Sequence, residues 1–296
     1  MRVLVAGATG FVGSRLVASL VNHGHDVVAL TRDAERYDNP EGIEVVEGDL
    51  LDPPLELPST DAAYYLVHSM GAGGDFAARD RRAATTFAEA AEQAGIGRVI
   101  YLGGLGDEGD DLSEHLRSRR EVEQVLGERA FELTTLRAAV IVGSGSASFE
   151  LIRQLADRLP VMVTPRWVRT DCQPIYIDDV VAYLVGVLEA PATAGETFEI
   201  GGPEVLTYED MLRTVAAQQG HRLRIVPVPV LSPWLSAHWL RLFTDVPAGV
   251  ARPLVAGLRN AVTVSERRID EHADVELTPF DEAVQRALAD GESGGA

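Results

Sequence analysis

Lysine is absent from the 296 residues, so all 26 basic side chains are arginine. No Schiff base can form on a lysine, and no lysine ammonium can relay protons. Cysteine is almost absent too: Cys172 stands alone and excludes an internal disulfide. It precedes Gln173-Pro174, with no histidine placed to activate it, and reads as a buried, inert thiol. No apolar run reaches the roughly eighteen residues of a membrane span. Met1-Arg2 runs straight into "VLVAGATG", which is too short and glycine-rich for a secretory leader. A soluble cytoplasmic protein is the expectation. No His-x-x-His, Cys-x-x-Cys or clustered carboxylates stand at metal spacing, so no metal site is expected. Positive charge is scarce against 45 acids, and the formal net charge is -19. A polyanion of this size repels nucleic acid and anionic lipid, so no nucleic-acid partner is expected. Acidity without lysine points to a salt-loving source, with a GC-rich genome as the plainer explanation.

What is present is an alternation of short apolar runs and helical patterns. "RVLVAG", "DVVALTR", "IEVVEGD", "AAYYLVHSM", "GRVIYLGGLG" and "FELTTLRAAVIVG" read as six buried strands. "FVGSRLVASLVNHG", "FAARDRRAATTFAEAAEQAG" and "LSEHLRSRREVEQVL" read as helices, the first two closing on Gly24 and Gly95. That rhythm predicts βαβ units, hence an α/β protein with a doubly wound parallel sheet of Rossmann type. After Gly143 it loosens: "QPIYIDDVVAYLVGVLEA" reads as a strand and then a helix, and "GETFEIGG" and "RLRIVPVPV" as strands flanking the helix "TYEDMLRTVAAQQG". A Rossmann domain over 1–143, a smaller lobe over 144–290 that partly continues the sheet, and a disordered tail over 291–296 are expected. In the lobe, "VLSPWLSAHWLRLFTDVPAGVARPLVAGL" suits either the apolar wall of a ligand pocket or ordinary helix packing.

"GATGFVG" places Gly7, Gly10 and Gly13 between the first strand and the first helix, with Thr9, Phe11 and Val12 among them. Gly7 permits a tight turn, Gly10 lets backbone approach a diphosphate, and Gly13 lets the helix lie close on the sheet. The helix then offers free amides to the phosphates. The second strand ends in Thr31 and Arg32, where NAD binders usually carry an acid; an arginine there pairs with a 2′-phosphate and favours NADP, while Asp33 keeps NAD open. Asp49 and Leu50 follow the third strand, where an adenine ring would rest. Val67 and His68 close the fourth strand beside the middle of the cofactor, although His68 also suits an ordinary loop.

The phrases "GATGFVGSRLV", "EGDLLDP", "RVIYLGGLG" and "QPIYIDDVV", in this order, resemble the atypical short-chain dehydrogenases/reductases. The chain is most similar to the group around the 39 kDa accessory subunit of respiratory complex I and to bacterial NAD(P)H-binding proteins, which also share "HLRSRREVEQVL" and "VPAGVARPLVAGLRN". The resemblance spans nearly the whole chain. It implies a serine at the end of strand five and a Tyr-x-x-x-Lys pair on the next helix, with tyrosine exchanging a proton and lysine lowering its pKa and holding the nicotinamide ribose. Here those positions fall on Gly103-Gly104, His115 and Arg119. The spacing of four survives on one helix face, but the chemistry changes. Arginine binds hydroxyls without relaying protons, and histidine is a general acid or base near neutrality.

His115 is therefore either a replacement proton donor or part of a solvated helix end. Arg119 is a cofactor contact, Ser113 a helix cap, Arg117 and Arg120 surface charges paired with Glu121 or other acids, and Tyr101 a core residue. Asp178 and Asp179 read as caps and dipole partners of the helix they open. Two functions remain open. One is an oxidoreductase acting on an apolar small molecule, with His115 and Arg119 in place of tyrosine and lysine. The other is a non-catalytic NADPH-binding scaffold or sensor, held peripherally at a respiratory or quinone-related complex. Nucleotide-sugar epimerase or dehydratase chemistry ranks below both.

Overall fold

The computed structural model describes residues 1–39, 42–69, 75–106, 112–228 and 244–293. In the first half, β1 (Arg2–Ala6), α1 (Phe11–Asn22), β2 (Asp26–Thr31), β3 (Glu44–Glu47), β4 (Ala62–Tyr65), α2 (Phe76–Gln93), β5 (Arg98–Gly104), α3 (Glu114–Gly127) and β6 (Glu132–Ala138) follow one another. Then come β7 (Ile141–Val142), α4 (Ala147–Arg158), β8 (Val161–Pro165), β9 (Asp171–Cys172), β10 (Ile175–Tyr176) and α5 (Ile177–Glu189). The chain continues through β11 (Thr197–Ile200), β12 (Leu206–Thr207), α6 (Tyr208–Gln218), β13 (Arg224–Val228), α7 (Ala248–Gly257) and α8 (Phe280–Ser293). No helix among the described residues is long and apolar enough to cross a membrane.

Seven strands form one parallel sheet in the order β11-β6-β5-β4-β1-β2-β3. Its central strands are buried on both faces, as parallel sheets demand: Val3 to Ala6 and Ala62 to Tyr65 are fully covered. On one face lies a core of Leu4, Val28, Tyr65, Phe87, Tyr101 and Leu126. On the other, Val3, Val5, Leu16, Tyr64 and Ile100 merge with Phe149 and Leu184 of the second lobe. Residue parity along each strand decides the face. Helix α1 buries Gly13, Leu16, Val17 and Leu20, the stripe expected of 3.6-residue periodicity. Gly24 and Gly95 take the left-handed φ values of 80° and 71° just past α1 and α2.

The second lobe differs from expectation in several places. "FELTTLRAAVIVG" is two strands, because beyond Ala138 the chain leaves the main sheet and β7 pairs with β10 instead. Asp179 does not cap α5; its carboxylate accepts from the Thr278 amide and hydroxyl, both at 2.9 Å, and so ties in the C-terminal segment. Asp178 and Asp179 do lie in the first turn of α5, where the helix dipole favours them. Arg120 pairs with Glu123 at 3.6 Å and donates to the Gly106 carbonyl, while Glu121 pairs with Arg81. Helix α8 runs to Ser293, into the tail expected to be disordered. Of the apolar stretch 230–258, residues 230–243 lie outside the described residues.

Arg98, only 9% exposed, fastens the bottom of β5 to the second lobe. Its guanidinium donates to the hydroxyls of Thr134 and Thr193 and to the carbonyls of Val187 and Leu188, in the last turn of α5. A cation there also complements the negative end of the helix. Arg98→Met removes this donor from both carbonyls, leaving Val187 only the Thr193 hydroxyl, and should cost roughly 2–3 kcal/mol. Urea unfolding with unchanged slope is the measurement; a loss below about 0.5 kcal/mol, the level of an ordinary surface change, would refute the role.

Candidate active site

The sheet order reverses at β1, which has β2 on one side and β4 on the other. Ligand crevices of doubly wound sheets open at such a switch point, beyond the carboxyl ends of the strands. Here the chain turns from β1 into α1 within four residues, 7–10. Gly7 has φ 93°, and a Cβ on it would lie 3.0 Å from the Leu66 carbonyl. At Gly13 a Cβ would sit 2.1 Å from the Gly7 oxygen, closer than atoms can approach. Only glycine therefore lets α1 start where it does. The Gly10 amide donates to the Gly7 carbonyl at 2.9 Å, closing the turn. Among the described residues no side chain caps the start of α1. A bare helix N-terminus above glycines whose Cβ positions are filled by backbone fits a diphosphate.

The neighbouring candidates take different parts. Thr9 is exposed. The Phe11 ring packs against the turn after β7, where a Cβ on Gly143 would approach within 2.8 Å of it. Arg15 lies 4.5 Å from that ring and donates to the carbonyls of Phe11 and Ser144. Phe11 and half-buried Val12 thus present backbone amides to the crevice. Arg32 is exposed and has no ion pair among the described residues. Asp33 is engaged by the Arg36 guanidinium at 3.2 Å. Asp49 accepts from the Leu51 amide at 2.9 Å, and the Leu50 side chain is buried in the core, leaving only backbone to a ligand. Val67 is half-buried and His68 exposed just past β4.

Helix α3 is capped by Ser113, whose hydroxyl accepts from the Leu116 amide at 3.4 Å. Leu116, Ser118, Val122 and Leu126 are its buried residues. Gly104 lets α3 lie against the end of β5; a Cβ there would come within 2.9 Å of Leu116 Cδ2 and 3.7 Å of Arg119 Cγ. The Tyr101 hydroxyl donates to the Arg119 carbonyl at 3.1 Å, so the buried tyrosine anchors the turn that carries Arg119. Asp80 on α2 does the same from the other side. It is 3% exposed and accepts from the Ser69 amide at 2.6 Å and the Ser118 hydroxyl at 3.2 Å. Sequence reasoning missed Asp80, because an acid among "ARDRR" reads as a solvated helix face.

His115 is half-buried, not solvated. Burial first, then the charge of Arg119 and the nearness of His68, push its pKa down to about 3. Packing and Arg119 also push the His68 pKa down, although part of that ring stays exposed. His115 lies on the wall of a cavity of about 390 Å³. Its lining includes Leu105, Val140, Leu151, Met162, Leu212 and Leu254, with no Arg, Asp or Glu among the described residues that line it. The walls come from α4, β8, α6 and α7 as well as from the ends of β5 and β6. Cys172 is buried beneath it, with a thiol pKa raised to about 11 by burial.

A glycine-lined strand-to-helix turn at the switch point of a parallel sheet defines a dinucleotide-binding protein of the Rossmann class. Comparison with known sequences makes that specific. The model of the NAD(P)H-binding family matches residues 7–159, just over half of the chain. The chain belongs to that NAD(P)H-binding family. It is similar to the 3-diazoavenalumate denitrifying reductase of a Streptomyces species (29% identity, covering 81% of this chain and 90% of that one). It is also similar to the ceramide reductase of Caulobacter vibrioides (27%, covering 77% and 73%). A third relative is the mitochondrial complex I subunit 9 of the alpha subcomplex from Arabidopsis thaliana (27%, covering 70% and 55%). These relatives agree with the resemblance to atypical short-chain dehydrogenases/reductases. Among solved structures, a nucleoside-diphosphate-sugar epimerase from Staphylococcus aureus superposes with a TM-score of 0.77 at 15% identity, covering 96% of this chain and 100% of that one. MoeE5 in complex with UDP-glucose and NAD gives 0.75 at 18%, covering both chains fully. At such identities the likeness is one of fold.

The imidazole of His115 yields a test. An unfolded chain takes up that proton below about pH 6.5, whereas the folded protein does so only near pH 3. The folded pKa is depressed, so the stabilisation is complete above pH 6.5 and is lost as pH falls toward 3. Two-dimensional NMR should show no titration of His115 between pH 5 and 8; a midpoint near 6.5 would mark a solvated ring.

Proposed function

We propose that the protein is an NADP(H)-dependent reductase of a small apolar molecule, with His115 as proton holder and Arg119 as cofactor contact. The observation that carries this reading is the position of His115 on the wall of a mostly apolar cavity, one helical turn before Arg119. The reductase names of two similar chains support it.

The turn at Gly7, Gly10 and Gly13 and the amides of Phe11 and Val12 would hold the diphosphate. Asp49 and the backbone at Leu50 would meet the adenine, and Arg119, with Val67 and His68 nearby, the nicotinamide end. Arg32 would meet the 2′-phosphate; it is free of ion pairs among the described residues, while Asp33 is already neutralised by Arg36. When bound, the dinucleotide supplies hydride.

The protein supplies the remainder. His115 is neutral at pH 7 and holds one proton on a ring nitrogen. A neutral imidazole donates that N–H to the polar atom of a substrate and stabilises charge growing there. The apolar walls exclude water, which strengthens the interaction. Gly103 and Gly104 bring no hydroxyl, so one donor of the usual set is missing, which costs about a hundredfold in rate. Among the described residues the lining is mostly apolar, which favours an apolar substrate over a nucleotide sugar, whose diphosphate needs charged partners.

A second reading has its own observation. The resemblance puts His115 and Arg119 at the positions of the family's proton-relay pair, and one relative is a respiratory complex subunit. A cofactor-binding scaffold held peripherally at such a complex fits those facts.

His115→Ala separates the two. With NADPH binding intact by fluorescence titration, turnover of a carbonyl and quinone panel in high salt should fall about a hundredfold or more. No turnover by the wild type, with cofactor co-purifying, selects the scaffold. Arg32→Glu should reverse the coenzyme preference, weakening NADPH by at least tenfold while leaving NADH nearly unchanged, roughly the worth of one charge-assisted hydrogen-bonded contact; equal loss for both would mean that Arg32 does not meet the 2′-phosphate.

A further inference from the structure

Three of the five exposed large hydrophobic side chains among the described residues lie on one small sheet: Val161 (50% exposed), Val163 (48%) and Val226 (39%). Strands β8 and β13 pair in parallel, with Val161 opposite Arg224 and Val163 opposite Val226. Alternation turns these four residues outward and buries Met162, Thr164 and Ile225. Single exposed valines are ordinary, whereas a contiguous apolar face marks an interaction surface. This face adjoins the cavity, because Val161 and Val163 also line it.

The charge around it reverses that of the whole molecule. In a chain of net charge -19, residues 158–169 and 211–228 contain no carboxylate; Arg158, Arg169 and Arg213 there are held in ion pairs, which leaves Arg222 and Arg224 as the unpaired cations of the described face. Nearby acids are already engaged. Asp245 pairs with Arg158, Glu209 with Arg169 and Arg213, and Asp157 with His221. Arg222 and Arg224 are exposed and have no ion pair among the described residues.

We propose that the β8–β13 face docks onto an anionic phospholipid bilayer, setting the mouth of the apolar cavity against the lipid. Apolar side chains inside a cationic rim are what such a surface binds. The net negative charge of the chain is repelled by it, which favours approach through this face. A second copy is a poor occupant, since a two-fold contact would set Arg222 and Arg224 against their own images. That the cavity draws its substrate from the membrane rests on the reductase reading; the docking does not.

The test is flotation with vesicles of phosphatidylcholine alone and of an equal mixture with phosphatidylglycerol, at the lowest salt in which circular dichroism shows the full chain folded. The protein should float with the mixed vesicles and stay behind with the neutral ones. Arg222→Gln and Arg224→Gln should each lower partitioning about fivefold. Val163→Asp should abolish it, with circular dichroism and NADPH affinity unchanged in every variant. Flotation with neither vesicle, equal flotation with both, or wild-type flotation of Val163→Asp overturns the proposal. So does a dimer in light scattering that Val163→Asp dissociates, which would make the face a contact between copies.

Discussion

Helix α1 rests on the carbonyl of Gly7, with room at Gly13 for a hydrogen and nothing more. Everything at the carboxyl edge of the sheet is placed by that contact. It sets how near the first amides of α1 come to the ends of β1 and β4, and hence whether a diphosphate can reach them. It also brings Phe11 within reach of the turn after β7, so the second lobe is registered on the first by the same helix. A methyl group at Gly13 would displace the helix, and with it both the cofactor crevice and the seam between lobes.

On the opposite side of the crevice the end of β5 and helix α3 pack closely. Gly104 gives α3 its approach to β5, and the residues that follow on that helix are His115 and Arg119. Tyr101 and Asp80 hold α3 from beneath through one hydrogen bond to the Arg119 carbonyl and one to Ser118. The result is an anchored helical turn that carries Arg119 beside a neutral imidazole. Arginine keeps its charge at any physiological pH, and that charge, together with burial, keeps the imidazole from acquiring one. The pair is thus built for hydrogen bonding and electrostatics, and differs from a tyrosine whose acidity is tuned by lysine.

The Rossmann half was legible because its signals are local. Runs such as "VLVA" are buried on both faces, and Gly24 and Gly95 punctuate the helices with left-handed φ values. The crevice glycines were legible for the same reason. After Gly143 the strands of "QPIYIDDVV", "GETFEIGG" and "RLRIVPVPV" and the helix of "TYEDMLRTVAAQQG" were legible too, but not their pairings, which are set by distant partners. Strand β7 exists through β10, β8 through β13, and Asp179 is spent on Thr278, 99 positions away, where local spacing reads a cap. The cavity shows this most plainly. Its walls come from α4, β8, α6 and α7, and no window of sequence holds them together. His115 could be placed on its helix from spacing alone, yet its burial depended on those walls.

Strand β11 has a consequence for synthesis. It is the outermost strand of the main sheet and pairs with β6 from Thr197↔Thr135 to Ile200↔Ala138. As the chain leaves the ribosome, residues 139–196 must be made before that partner exists. Throughout this interval β6 offers an open row of amides and carbonyls, the feature by which nascent sheets recruit wrong neighbours. The high negative charge of the chain then has a task during birth as well as afterwards, since like-charged nascent chains hold one another apart while that margin waits to be closed.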